Sequence, residues 1–188
     1  MKIKITREEL RKISESQSCE FKSSLNQQKN GFESLTAMVN SETARGMVIF
    51  GVDNDGGPKG IEPGNLDSAQ RKLAEHARNM IDPPLICNIK ILECEDKTLI
   101  AIDAQRLRDI PFHEYDGRTF IREGSSNRQL SFEEKKSLIH GRSRDLYPGP
   151  WRCDRCGSFV GLLVSYKITN QGHQKSYQCH CGGEFWPV

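Results

Sequence analysis

No stretch of this sequence stays apolar long enough to cross a membrane. The longest runs, such as Met47-Val48-Ile49-Phe50, hold four residues, against the roughly 20 that a spanning helix requires. The start, Met1-Lys2-Ile3-Lys4, lacks the apolar core of a secretion signal, so a cytoplasmic location and no membrane partner are expected. A surplus of either charge is lacking too: 27 basic residues against 25 acidic ones leave a net charge of +2. Counterion release needs a local basic patch, which a whole-chain balance neither shows nor excludes. The phosphate-binding signature G-x-x-x-x-G-K-[ST] is absent, and Gly56-Gly57-Pro58-Lys59-Gly60 does not substitute for it, so ATP is not expected as a ligand. No serine or cysteine nucleophile constellation, internal repeat or low-complexity segment stands out.

What is present fits one ordinary domain with a small appendage. The chain has 188 residues, of which 36% are hydrophobic and 28% charged, and a mean hydropathy of -0.62. That balance excludes collagen-like and wholly disordered classes. Four of the seven cysteines crowd into the last 41 residues as Cys153-x-x-Cys156 and Cys179-x-Cys181. Clustered thiols in a chain without a secretion signal point to metal rather than to disulfides. Zinc wants four soft ligands at tetrahedral corners, and two close pairs joined by a hairpin supply them. Strand-like segments at Phe159 to Ile168 and Ser176 to Gln178 fill the gap, as a zinc ribbon needs. The second pair is one residue tighter than usual, which leaves His173 or His180 as a substitute ligand. Such a closed site serves folding in a module this small. Its alternative use is nucleic-acid contact, through Trp151, Phe159, Tyr166, Tyr177, Phe185 and Trp186 beside Arg152, Arg155, Lys167 and Lys175, though some of those rings must form the ribbon's own core.

Local patterning gives the rest of the layout. Thr6-x-x-Glu9 and Ser131-x-x-Glu134 are capping boxes that start a short first helix and a last one. Phe32, Leu35, Met38 and Val39 recur at helical spacing, as do Leu66, Leu73, Ala77, Met80 and Ile81 before Asp82-Pro83-Pro84. Strands are expected at Cys19 to Leu25, Met47 to Val52, Leu85 to Cys94 and Leu99 to Ala104, with Pro58 to Ile61 pairing back. Phe112 to Tyr115 and Thr119 to Arg122 flank Asp116-Gly117, a hairpin dipeptide. The expected architecture is therefore α/β, with a mixed, partly antiparallel sheet packed with helices over residues 1–146. A zinc ribbon follows over 147–188, beyond the linker Tyr147-Pro148-Gly149-Pro150. His76, His113, Cys19, Cys87 and Cys94 lack partners at ligand spacing and read as incidental.

The most informative stretch is Glu15-Ser16-Gln17-Ser18-Cys19-Glu20-Phe21-Lys22. Five residues of helix would set the two glutamates about 140° apart, and an odd offset on a strand sends them to opposite faces. They converge only if the backbone breaks between them, and the polar Ser16-Gln17-Ser18 supplies a break. Lys22 then shares a strand face with Glu20, and Asp53, at the end of the next strand, could complete a three-carboxylate cluster. Hard oxygen ligands of that kind suit Mg2+ or Mn2+. The bland reading is a solvated edge with Lys22 paired to a glutamate. Gly124-Ser125-Ser126, flanked by Arg122 and Arg128, offers backbone N–H groups and hydroxyls to a phosphate, or is only the loop before a capped helix.

Four pieces in order resemble the core domain of the Schlafen family, the divergent Alba-like domain found alone in many bacterial proteins. They are Glu15-x4-Glu20-Phe21-Lys22-Ser23; Ala37-Met38-Val39-Asn40-Ser41; Phe50-Gly51-Val52-Asp53 through Lys59-Gly60-Ile61; and Phe120 to Arg128. The resemblance spans about residues 5 to 142. It implies an α/β fold with a mixed sheet and, in nuclease members, metal-dependent cleavage of tRNA-like RNA by three carboxylates. Carried over by position, these are Glu15, Glu20 and an acid of the Asp53-Asn54-Asp55 loop. Two departures stand out: the link Asn40 to Gly46 is longer and poorer in glycine than the family's, and Asn54 occupies the usual position of the third acid, leaving Asp53 or Asp55. Vertebrate members clamp RNA between two lobes, so a single-lobe chain would need a homodimer to do the same.

The leading expectation is a metal-dependent endoribonuclease on structured RNA such as tRNA, preferred over DNA. Glu15, Glu20 and Asp53 would hold Mg2+ or Mn2+. Lys22 would neutralise the scissile phosphate, and Arg122, Ser125, Ser126, Arg128, Arg152 and Arg155 would grip the backbone. The main alternative is a nucleic-acid-binding, regulatory module in which the acids are structural; a zinc-dependent adaptor is a third.

Overall fold

The computed structural model describes residues 2–62, 64, 66–107, 110–146, 151–153 and 185–187. They fall into two units, Met1–His140 and Gly141–Val188. The expected linker, the strands at 159–168 and 176–178, and Arg155, Cys156, Cys179 and Cys181 lie outside the described residues.

In chain order the elements are β1 (Lys2–Lys4), α1 (Arg7–Lys12), β2 (Cys19–Lys22), a 3-10 turn (Leu25–Gln27), α2 (Gln28–Asn40), β3 (Arg45–Phe50), α3 (Leu66–Met80) and β4 (Ile81–Asp82). Then come β5 (Cys87–Cys94), β6 (Lys97–Gln105), β7 (Glu114–Tyr115), β8 (Phe120–Glu123), β9 (Ser126–Gln129), α4 (Phe132–Leu146), β10 (Trp151–Cys153) and β11 (Phe185–Pro187). Five strands form one mixed sheet in the order β1-β5-β6-β3-β2, with β1 parallel to β5 and β2 parallel to β3. The central β5, β6 and β3 pairings are antiparallel. The fold is thus the mixed α/β arrangement expected from patterning. In the second unit β10 and β11 pair antiparallel.

Apolar side chains on both faces of the sheet explain why helices cover it twice. Phe32, Leu35 and Val39 of α2 and Leu73 and Ala77 of α3 pack on Val48, Phe50, Ile100 and Ile102. On the opposite face Leu10 of α1 meets Ile49, Leu92, Leu99 and Ala101. Period-two alternation along β3 and β6 sends neighbours to opposite cores. The close seat of α2 on β3 depends on Gly46, where a Cβ would stand 2.7 Å from Met38 Cβ.

Both capping boxes form: Thr6 Oγ1 accepts from the Glu9 N–H at 3.1 Å, and Ser131 Oγ from the Glu134 N–H at 3.3 Å. The Asp116-Gly117 turn also forms, with φ of 50° and 71°, the left-handed pair that a tight hairpin demands. Its arms diverge, however, and the expected hairpin is corrected to a single bridge between Tyr115 and Arg118. The arm before the turn, β7, pairs with β4 from more than 30 residues earlier, and the arm after it, β8, pairs with β9 in the next hairpin along the chain.

A buried polar clamp ties these outer strands to α2. Asn40, wholly inaccessible, donates from Nδ2 to the carbonyls of His113 at 2.8 Å and Phe120 at 2.9 Å and accepts the His113 N–H at 2.8 Å. His113, expected to be incidental, is itself buried, its Nδ1 lying 2.7 Å from the Pro83 carbonyl while Nε2 has no partner among the described residues. Burial, aided by the Arg106 charge, holds the His113 pKa below the ordinary histidine value. The sign follows: the unfolded chain takes up the proton near pH 6.5, the folded chain only lower, so stability is full above that range and is lost as pH falls through it. His76, also lowered, mainly by burial, acts in the same direction. Urea midpoints should therefore drop between pH 7.5 and pH 5.5, and drop less in a His113→Gln variant; a midpoint flat over that range contradicts this.

Candidate phosphate-handling pocket

The polar break between α1 and β2 behaves as the sequence requires. Ser16 and Cys19 bridge each other across a turn, reversing the chain so that Glu15 lies back along β2. Glu15 Oε1 accepts the Phe21 N–H at 3.0 Å. Glu20 and Lys22, two apart on β2, share a face, and Lys22 Nζ donates to Glu20 Oε1 at 2.5 Å. The other oxygen, Oε2, accepts from Arg122 Nη2, which β8 brings in from 102 residues away. Arg122 is 3% exposed at its side chain, Glu20 14% and Lys22 15%, so the three-charge cluster is largely shielded from water.

Arg122 is fixed from its other end as well. Its Nη1 donates to Asn127 Oδ1 at 2.8 Å, and Asn127 Nδ2 donates to Ser34 Oγ at 3.0 Å and Glu33 Oε1 at 3.2 Å on α2. The Arg122 Nε–H is buried without a partner among the described residues. Around this cluster Glu15, Ser16, Gln17, Glu20, Arg122, Gly124 and Ser125 line a pocket of about 340 Å³. Between the two glutamates the Cys19 thiol is pushed up to about 12, first by burial and then by the Glu15 and Glu20 charges. An alkylating reagent at pH 8 should leave it untouched.

Glu15, Glu20, Lys22, Arg122 and Ser125 are thus gathered at one place. Asp53 is not among the pocket's lining. Gly51, at φ 92°, turns the chain out of β3 so that the Lys59 and Gly60 N–H groups bond back to its carbonyl. Asp53 rides out on that loop and pairs with Lys59 at 3.7 Å, while Asp55 accepts the Gly57 N–H at 3.0 Å. Ser126 sits in β9 opposite Glu123. Arg128 is engaged by Glu123 and Glu134, each at 2.8 Å, which ties β9 to α4. Of the tail residues, Arg152 and Cys153 belong to β10.

Among the described residues no group of three or more His, Cys, Asp or Glu side chains is placed to hold a metal ion. Both Glu20 oxygens carry cations and one Glu15 oxygen holds a backbone N–H. The donor set therefore does not fit a three-carboxylate cation site as it stands. Asn127, Gln17 and Ser16 were not among the expected site residues. Asn127 reaches its α2 partners across more than 90 residues, and no local pattern signals that.

None of the curated proteins matches this chain. Among solved structures it is similar to the N-terminal domain of a RecG-related protein from Nitrosomonas europaea, at 25% identity over 67% of this chain and 91% of that one, with a TM-score of 0.47. It is also similar to the DIP2311 protein from Corynebacterium diphtheriae, at 18% identity over 67% of this chain and 24% of that one, with a TM-score of 0.48. The family model described as Schlafen, AlbA_2 matches residues 15–131, a span that runs from Glu15 through the sheet to the β9 hairpin and takes in every residue of the pocket. The chain belongs to the Schlafen, AlbA_2 family.

Proposed function

We propose that this domain binds nucleic acid, structured RNA such as tRNA before DNA, by seating a backbone phosphate in the pocket beside Lys22 and Arg122. The observation that carries this reading is that every candidate acid already has a structural task. Glu20 holds the two cations side by side, Glu15 holds β2, and Asp53 holds Lys59. Arg122, one of the pocket's lining residues, has a buried Nε–H without a partner among the described residues, and the Gly124-Ser125 turn adds a hydroxyl and backbone amides. The charges of Glu15, Glu20, Lys22 and Arg122 cancel, so affinity is expected in the weak, salt-sensitive class, on the order of micromolar or weaker.

A second reading, endonucleolytic cleavage dependent on Mg2+ or Mn2+, is favoured by one observation: Glu15 and Glu20 line the same pocket. Mg2+ is commonly held by only one or two protein carboxylates beside substrate phosphates. One titration separates the two. End-labelled tRNA is mixed with purified protein, with and without Mn2+, and read both for complex and for chain length. Binding with intact RNA, indifferent to Mn2+, supports the first reading; Mn2+-dependent fragments support the second. Failure to bind any RNA or DNA overturns both. For the tail we propose a structural zinc on Cys153, Cys156, Cys179 and Cys181; elemental analysis should find about one zinc per chain, and Cys156→Ser should lose it.

A further inference from the structure

The outward edge of β2 is closed by groups from its own neighbourhood. In the parallel pairing with β3, the Met47 N–H reaches the Ser18 carbonyl and the Gly51 N–H the Lys22 carbonyl. Backbone groups alternate sides along a strand, so Cys19, Phe21 and Ser23 turn their N–H groups away from β3, toward what would be an open edge. Each has a partner. Cys19 N–H reaches the Ser16 carbonyl at 3.4 Å, Phe21 N–H the Glu15 carboxylate at 3.0 Å and Ser23 N–H the Gln27 amide oxygen at 2.9 Å. Open edges invite foreign strands and fray, and β2 is four residues long with one strand neighbour. Glu20 and Lys22 are therefore as well placed as that edge is closed.

We infer that Glu15 is a positioning residue: its carboxylate oxygen substitutes for a missing strand on the Phe21 amide, and so holds the strand that carries Glu20, which lines the pocket, and Lys22, which is bonded to it. This rests on the reading of the acids as structural, and it gives Glu15 a task that needs an acceptor oxygen but not a negative charge. A ligand for a cation would need the charge. Gln27 supplies the same service to the Ser23 N–H with a neutral amide two residues further along, so a neutral acceptor can cap an amide on this edge.

Two variants of the full chain separate acceptor from charge. Glu15→Gln keeps an oxygen for the Phe21 N–H, whereas Glu15→Ala removes it. Hydrogen exchange at the Phe21 amide is expected to be within about threefold of wild type in Glu15→Gln and at least tenfold faster in Glu15→Ala. RNA affinity should be reduced by Ala, whereas with Gln, which keeps the bond and removes one negative charge from the pocket lining, it should be no weaker than wild type. Glu20→Gln should leave the Phe21 amide protected, because its own carboxylate does not touch that group. The inference is overturned if Glu15→Gln loses RNA binding or cleavage as fully as Glu15→Ala while the Phe21 amide stays protected, since charge would then be what matters. It is overturned equally if Glu15→Ala leaves that amide's exchange unchanged. The exchange measurement needs no nucleic acid, so a wild-type protein that binds none would overturn the functional reading and leave the edge cap to stand or fall by itself.

Discussion

An Asn40→Ala variant is expected to unfold about 3 kcal/mol more easily than the wild-type chain. Asn40 is buried in the last turn of α2, with three bonds of 2.8 to 2.9 Å to the backbone of His113 and Phe120. Truncation strands one N–H and two carbonyls where water does not reach, and each orphaned buried group costs roughly 1–3 kcal/mol. Partial relaxation keeps the sum near the lower end. In a domain of this size that amounts to about 10 °C in melting temperature. Thermal or urea unfolding checks it, and a loss under about 0.5 kcal/mol would mean that β7 and β8 are held by other contacts. The pocket should suffer too, because the same α2 turn carries Ser41, whose hydroxyl accepts the Arg122 N–H at 3.0 Å.

The second large effect is a gain. Replacing Glu20 by glutamine removes the carboxylate that, among the described residues, is bonded to both Lys22 and Arg122, and leaves two shielded cations beside the pocket that Arg122 lines. If the pocket seats a phosphate, RNA affinity should rise about tenfold at low salt, with a steeper fall as salt increases, since one more positive charge takes part in counterion release. The folded state should lose about 1–3 kcal/mol, because a buried guanidinium with a weaker partner bears its desolvation cost alone. Unfolding must therefore be measured on the same sample. An enzyme that uses the Glu20 carboxylate for chemistry would behave differently, losing cleavage while binding stayed near wild type.

Much of the fold could be read from short-range pattern, because its elements are specified locally. The α2 spacing of Phe32, Leu35 and Val39, the β3 run, the β5 and β6 strands and both capping boxes each occupy a few consecutive turns or pleats. What escaped depends on partners far along the chain. The strand β1 has no apolar character of its own; it exists by parallel pairing with Ile91–Glu93, with Lys2 and Lys4 both near Glu93. His113 looked incidental because its partners lie 73 and 30 residues away.

The candidate site divides the same way. The convergence of Glu15 with Glu20 was legible, since the break at Ser16 to Ser18 forces it. So was the shared face of Glu20 and Lys22. The pairing of Glu20 with Arg122 was not, as β8 joins from another part of the sheet's surroundings. Asp53 looked well placed as the residue at the end of the next strand, but it lies past the turn at Gly51 and pairs with Lys59, outside the pocket's lining.

The affinity of tRNA for wild-type and Glu20→Gln protein, compared at two salt concentrations in the presence of Mn2+ and scored for RNA integrity, tests the structural role of the acids most directly. The expected result is intact RNA throughout and tighter, more salt-sensitive binding by the variant. Cleavage by the wild-type protein that disappears in Glu20→Gln, with binding unchanged, would contradict it.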